Sequence, residues 1–265
     1  MRFLQISFGF LIWAVSAALL TAHDDVVPYA DGGKIVTGAH DDDANTTATS
    51  QRIFGYDFGE TMGFPFRAGD PGFNNGSGFT SAFGDDDGKL PSIQSLSFDL
   101  TTNLLYWDGV SSTFTVPPSN VELRLNSPFG DELTLIGESG HTGTGPFQIG
   151  TTNANGRIHE HLGARMLESG IEGSPAGMYI FGMTLKMPTL DDSDPFYMVY
   201  NLNMEEDLHD GLIDLMADNL ENGLALDFNL ISVVPEPCSL ALSGMSLLGL
   251  MTFARRRRIK SSNCS

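Results

Sequence analysis

Val121-Glu122-Leu123-Arg124-Leu125 puts an apolar side chain at every second position with a charge between. On a strand these three apolar groups share one face, whereas a helix would scatter them around its surface. The same period of two runs through Leu96, Phe98 and Leu100, joined after one slip by Ile93, and through Leu133 to Ile136 and Ala225 to Ile231. Met178 to Met187 (MYIFGMTLKM) is apolar almost throughout, as a strand covered on both faces would be. Gly, Pro, Asn and Asp separate these short runs, and no period-matched repeat is present. The pattern predicts an all-β domain, an antiparallel β-sandwich of jelly-roll type.

Two kinds of segment break the alternation. Thr37 to Ser50 and Gly69 to Lys89 are polar and rich in small residues, and are expected to be loops. Glu205 to Glu221 spaces Leu208, Leu212, Leu215, Met216 and Leu220 along one helical face, with acids in its first turn and Gly223 as a stop signal. This is the one short helix expected in the domain, lying on a sheet.

The ends differ from the body. After Arg2, the stretch from Phe3 to Leu20 carries no ionisable side chain, and Ala22 precedes the polar His23-Asp24-Asp25, which reads as a signal peptide over 1–22. Residues 23–232 then form the exported domain. The ends hold six of the fourteen basic residues and none of the acidic ones, so His23 to Pro237 has 8 basic against 33 acidic residues, a net charge of −25. Such a surface excludes nucleic acid as a ligand and attracts divalent cations. Both cysteines, Cys238 and Cys264, lie behind the body, which therefore has neither disulfides nor thiol chemistry.

Residues 233–260 are built in three parts: Pro235-Glu236-Pro237, an uncharged and mostly apolar run over 238–254, and Arg255, Arg256, Arg257 and Arg258. The run is just long enough for a transmembrane helix, and the arginines orient it with the body outside. The flanking prolines keep the peptide beside the membrane extended. This arrangement closely resembles the PEP-CTERM sorting signal, also known as an ice-binding-protein C-terminal motif. The resemblance implies a Gram-negative-type bacterial source, recognition and cleavage at Pro-Glu-Pro by exosortase, and an inner-membrane intermediate reached through the export machinery. It further implies delivery to the cell envelope or to an extracellular, exopolysaccharide matrix. Cys238 departs from the Ser or Ala commoner after the motif.

Within the body, His159 and His161 lie two residues apart, hence on one face of a strand, and two adjacent imidazoles are half of a zinc or copper site. The nearest candidate for a third ligand is His141, in a glycine-rich turn, with His209 on the expected helix as a weaker one. His23 would become the mature N-terminus after cleavage at Ala22, offering an amine and an imidazole together. Asp41 to Asp43 and Asp85 to Asp87 lack the spacing of a calcium loop and read as solvated acidic surface. No nucleophile elbow, HExxH motif or phosphate-binding loop is present.

Three further stretches resemble a group of PEP-CTERM proteins of planctomycetes and cyanobacteria, some of them repressed by the zinc-uptake regulator. They are Asp31 to Gly38 with Arg52 to Glu60 and Asp70 to Phe73; His159 to His161 before Pro175 to Tyr179; and Ser193 to Asn201. The resemblance implies an all-β exported domain linked to metal supply, without a defined catalytic activity. The leading expectation is a non-enzymatic exported protein. The alternatives are a zinc- or copper-binding protein using His159, His161 and His141, and a secreted carbohydrate-active hydrolase using carboxylates that the sequence does not single out.

Overall fold

The computed structural model describes residues 25–41, 46–48, 50–60, 63–76, 89–111, 113–137, 140–142, 146–223 and 226. The expected signal peptide, the Pro-Glu-Pro motif, the apolar run over 238–254 and the arginine cluster lie outside these residues. So do His23, Asp42 and Asp43, the Asp85 to Asp87 run and all but Leu226 of the strand expected over Ala225 to Ile231. Among the described residues no helix is long and apolar enough to cross a membrane.

The described chain is mostly β with one helix. It opens with β1 (Asp25–Asp31), β2 (Lys34–Asp41), β3 (Thr46–Ala48), β4 (Ile53–Asp57), β5 (Arg67–Ala68) and β6 (Gly72–Asn74). The middle carries β7 (Ser95–Leu100), β8 (Leu105–Trp107), β9 (Val121–Asn126), β10 (Glu132–Ile136), β11 (Gly140–Thr142) and β12 (Phe147–Thr151). The last part holds β13 (His159–His161), β14 (Gly163–Glu168), β15 (Ile171–Glu172), β16 (Gly177–Lys186), β17 (Phe196–Leu202) and the helix α1 (Glu206–Glu221).

These strands make three open sheets, ordered β13-β6-β1-β2-β3, β11-β10-β9-β14-β15 with β5 on β14, and β12-β7-β16-β17-β4 with β8 on β16. Most neighbours are antiparallel, as the alternation implies. Two pairs are parallel, β1 with β6 and β4 with β17, so the sheets are mixed. Parallel partners cannot be joined by a tight turn, and β4 and β17 are separated by most of the described chain.

One main core is shared by the three sheets: Val26, Ile35 and Phe73 come from the first, Leu123, Leu125 and Met166 from the second, and Phe98, Phe181 and Met198 from the third. The third sheet has a second covered face. Ile53, Met178, Ile180 and Val199 pack there against Leu212, Ile213 and Met216 of α1. This explains the continuous apolar run of β16. Tyr179, Phe181 and Met183 point into the main core, while Met178 and Ile180 alternate towards the helix. Each such fully buried side chain contributes about 1.5–3 kcal/mol.

The helix lies where its periodicity predicts, with Glu206 and Asp207 in its first turn and the chain turning at Gly223 (φ +69°). Its buried stripe is rotated from the expected one, however. His209, Leu212, Ile213 and Met216 are buried, and Leu208, Leu215 and Leu220 only partly so.

Other expectations are corrected. Thr37 to Asp41 continues β2 and Thr46 to Ala48 forms β3, both within a segment read as loop. The other expected loop contains β6, a three-residue strand whose Phe73 is fully buried. Ile93 is not a strand residue: it sits at φ +55° and is 72% exposed, so the alternation of β7 starts at Leu96.

Candidate metal centre

In the first sheet, β6 lies between β1 and β13, parallel to the former with Val26 opposite Phe73 and antiparallel to the latter. The registers put His161 opposite Gly72 and His159 opposite Asn74. Asp25 precedes Val26, which places it beside Gly72 on the other flank. Val26 and Phe73 turn to the core, so Asp25, Gly72, Asn74, His159 and His161 belong to the opposite face of the sheet.

Gly72 is what lets side chains from β1 and β13 meet across β6. A Cβ at this position would collide with the carboxylate of Asp25 and stand 2.9 Å from Cε1 of His161. The space that a side chain would fill is taken by a carboxylate arriving from one side and an imidazole from the other. A glycine inside a strand commonly marks such a close approach.

The imidazoles stand side by side, as two residues of separation on a strand imply. Nε2 of His159 is 3.1 Å from Nε2 of His161. Two nitrogens on one tetrahedral zinc, each at about 2.0–2.1 Å, lie about 3.4 Å apart, so the pair needs little adjustment to share an ion. The nearest ligand atoms of Asp25, His159 and His161 all lie within 4.8 Å of one another. Both histidines are exposed and Asp25 is half-buried.

The surrounding hydrogen bonds orient the donors. Nδ1 of His161 donates to Oδ1 of Asp70 at 3.2 Å, which fixes the tautomer and leaves the Nε2 lone pair directed at His159. Nδ2 of Asn74 donates to Oδ2 of Asp25 at 3.1 Å, leaving Oδ1 over Gly72 for a ligand. Asp70 is held in turn by the hydroxyl of Tyr200, which donates to its backbone carbonyl at 2.9 Å. Tyr200 is fully buried against Phe58 and Phe181, and burial drives its pKa well above the ordinary tyrosine value.

Asn75 anchors β13. Its Oδ1 accepts from the Ile158 amide at 2.7 Å and its Nδ2 donates to the Gly156 carbonyl at 3.0 Å, and the residue is completely buried. The chain entering His159, at the edge strand of this sheet, is thus fixed by a buried internal amide.

The structure brings together His159 and His161 but not His141. That residue lies on β11, at the far edge of the second sheet, beside a cavity of about 360 Å³ that also borders Asp99, Asp131 and Glu132. Asp25 stands beside the pair in its place. His209 is also elsewhere, buried under α1 near Asp57 and Glu206. Sequence reading missed Asp25, Asp70, Gly72 and Asn74. The signal that could have flagged them is the run Asp70-Pro71-Gly72-Phe73-Asn74, an acid and a strand glycine next to a single aromatic.

No family model, curated protein or solved structure matches this chain. Chemically, two imidazoles and a carboxylate form a three-donor set whose remaining side faces solvent. Zinc and copper both suit it, the imidazoles favouring them over magnesium or calcium. Two carboxylates, Asp25 beside the imidazoles and Asp70 behind His161, would offset the charge of a divalent ion.

Proposed function

We propose that this protein is an exported β-sandwich domain that binds zinc or copper through Asp25, His159 and His161. The observation that carries the reading is the convergence of three donors from two strands over Gly72, with the third strand between them lacking the side chain that would block it. The donor set is exposed and keeps an open position, which suits capture and release of an ion in the surrounding medium. The net charge of −25 over His23 to Pro237 raises the local concentration of divalent cations. Equilibrium dialysis of the full chain in mild detergent tests it. The wild type retains zinc or copper, whereas the doubly substituted His159→Ala/His161→Ala chain loses the ion at this site. Equal retention by both contradicts the proposal.

The route to the medium is proposed from sequence: Pro235-Glu236-Pro237 as the exosortase recognition motif, the 238–254 run as an inner-membrane intermediate, and Arg255 to Arg258 as its cytoplasmic anchor. Replacing Pro235, Glu236 and Pro237 by alanine leaves the chain unprocessed in the inner membrane. Unchanged processing and location would sink this part without touching the metal site.

A further inference from the structure

We infer that the molecule has a second cation site, formed by Asp57, Glu206 and His209 where α1 meets the end of β4, and that it takes a divalent first-row transition ion. His209 is the central observation. It is fully buried, and its Nδ1 has no hydrogen-bond partner. Its Nε2 donates to the Val199 carbonyl at 3.2 Å, which puts a proton on that nitrogen and, in the neutral ring, a lone pair on Nδ1.

That lone pair faces acids. Oδ1 of Asp57 lies 3.8 Å from Nδ1, too far for a hydrogen bond and within the separation of two ligands on one ion, which is at most about 4.2 Å for bonds of about 2.1 Å. Ligand atoms of Asp57, Glu206 and His209 all lie within 4.8 Å of one another. An imidazole nitrogen and two carboxylate oxygens gathered this closely around one point form a donor set that a cation completes. Two carboxylates neutralise a divalent ion, and the imidazole favours zinc or manganese over calcium.

The fold prepares this arrangement from both sides. Glu206 and His209 are three residues apart on α1, so they share one helical face. Gly55 and Asp57 are two apart on β4 and share the face towards the helix. The imidazole lies over Gly55, where an added Cβ would be 3.0 Å from both Cε1 and Nε2 and would collide with Ile213. Glu206 is exposed at the rim, Asp57 is half-buried, and His209 forms the floor. An ion enters from solvent past two carboxylates and meets a fixed nitrogen.

The competing state is a proton on Nδ1 with Asp57 as its counter-charge, and the two states give different measurements. In the full chain carrying His159→Ala/His161→Ala, which removes the sheet site, zinc and manganese are dialysed separately. One equivalent of either ion is retained, and Glu206→Gln, an exposed and isosteric change, then weakens it by about 10-fold or more. Asp57→Asn does the same, with the circular dichroism spectrum unchanged. The 15N resonance of His209 Nδ1 moves to the position of a metal-bound nitrogen in the loaded chain. Retention of neither ion by the folded double variant overturns the inference. So does binding unaffected by both Glu206→Gln and Asp57→Asn, or an Nδ1 that stays protonated at saturating metal. Because the sheet site is absent from this background, failure here leaves the Asp25–His159–His161 reading standing, and the reverse also holds.

Discussion

The two histidine–carboxylate clusters are built on opposite plans. At the sheet surface, two exposed imidazoles come from one three-residue strand and Asp25 from a strand beyond its neighbour, and hydrogen bonds from Asn74 and to Asp70 orient the donors. Under α1, a single imidazole is buried to the last atom and its unpartnered nitrogen faces Asp57 and Glu206. The histidines of the two clusters therefore serve different needs. An exposed pair contributes little to folding and is free to serve a ligand, whereas His209 fills core space between β4 and α1 as well as presenting a donor.

The largest expected contrast comes from deleting each cluster's imidazoles. His159→Ala/His161→Ala weakens zinc or copper binding at the sheet site by more than about 100-fold, beyond the effect typical of supporting residues. Its stability to urea stays within about 0.5 kcal/mol of wild type, as for most surface changes. His209→Ala reverses the pattern: it costs about 2–4 kcal/mol through the cavity left in a packed interface, and binding at the sheet site is retained. Equal destabilisation by both variants would show that the two clusters do not differ in their part in folding.

Asp70→Asn probes the support behind the sheet site. The substitution weakens the hold on the His161 tautomer and lowers affinity by about 10–100-fold without displacing a ligand. Titration calorimetry of the variant checks this; an unchanged affinity would show that Asp70 does not position His161. Asn75→Ala should cost about 1–3 kcal/mol by stranding the Ile158 amide and the Gly156 carbonyl, read as a lower urea midpoint. A variant as stable as wild type shows that β13 does not depend on this anchor.

The smallest effect concerns alkaline pH. Burial raises the Tyr200 pKa in the folded chain, so the neutral hydroxyl is favoured there, and its contribution is fully present below the unfolded value of about 10. Above that pH the unfolded chain ionises first and stability falls. Tyr200→Phe removes this share of the slope and costs about 1 kcal/mol at neutral pH for the lost bond to Asp70. A slope above pH 10 identical to wild type would contradict it.

Much of the fold was legible because its signals are local. The alternation of β9, the two-sided run of β16 and the spacing of α1 each lie within a single segment. So does the half-site: His159 and His161 share a face on any strand. What completes the site is not local. Asp25, Gly72 and His161 come together only through the pairing of β1, β6 and β13, and β6 looked like loop because a three-residue strand with one buried aromatic shows no period. His141 is close to the pair in sequence, but a hairpin with β10 carries it to the edge of another sheet. For His209, the spacing from Glu206 was readable, while Asp57 reaches it through the parallel pairing of β4 with β17 and the packing of α1 on β4.

The most direct measurement is anomalous diffraction at the zinc and copper edges from crystals of the metal-loaded protein. The expected map has a peak about 2.0–2.2 Å from Nε2 of His159, Nε2 of His161 and a carboxylate oxygen of Asp25. A loaded crystal with no density over Gly72, or with the ion held at His141 instead, would contradict it.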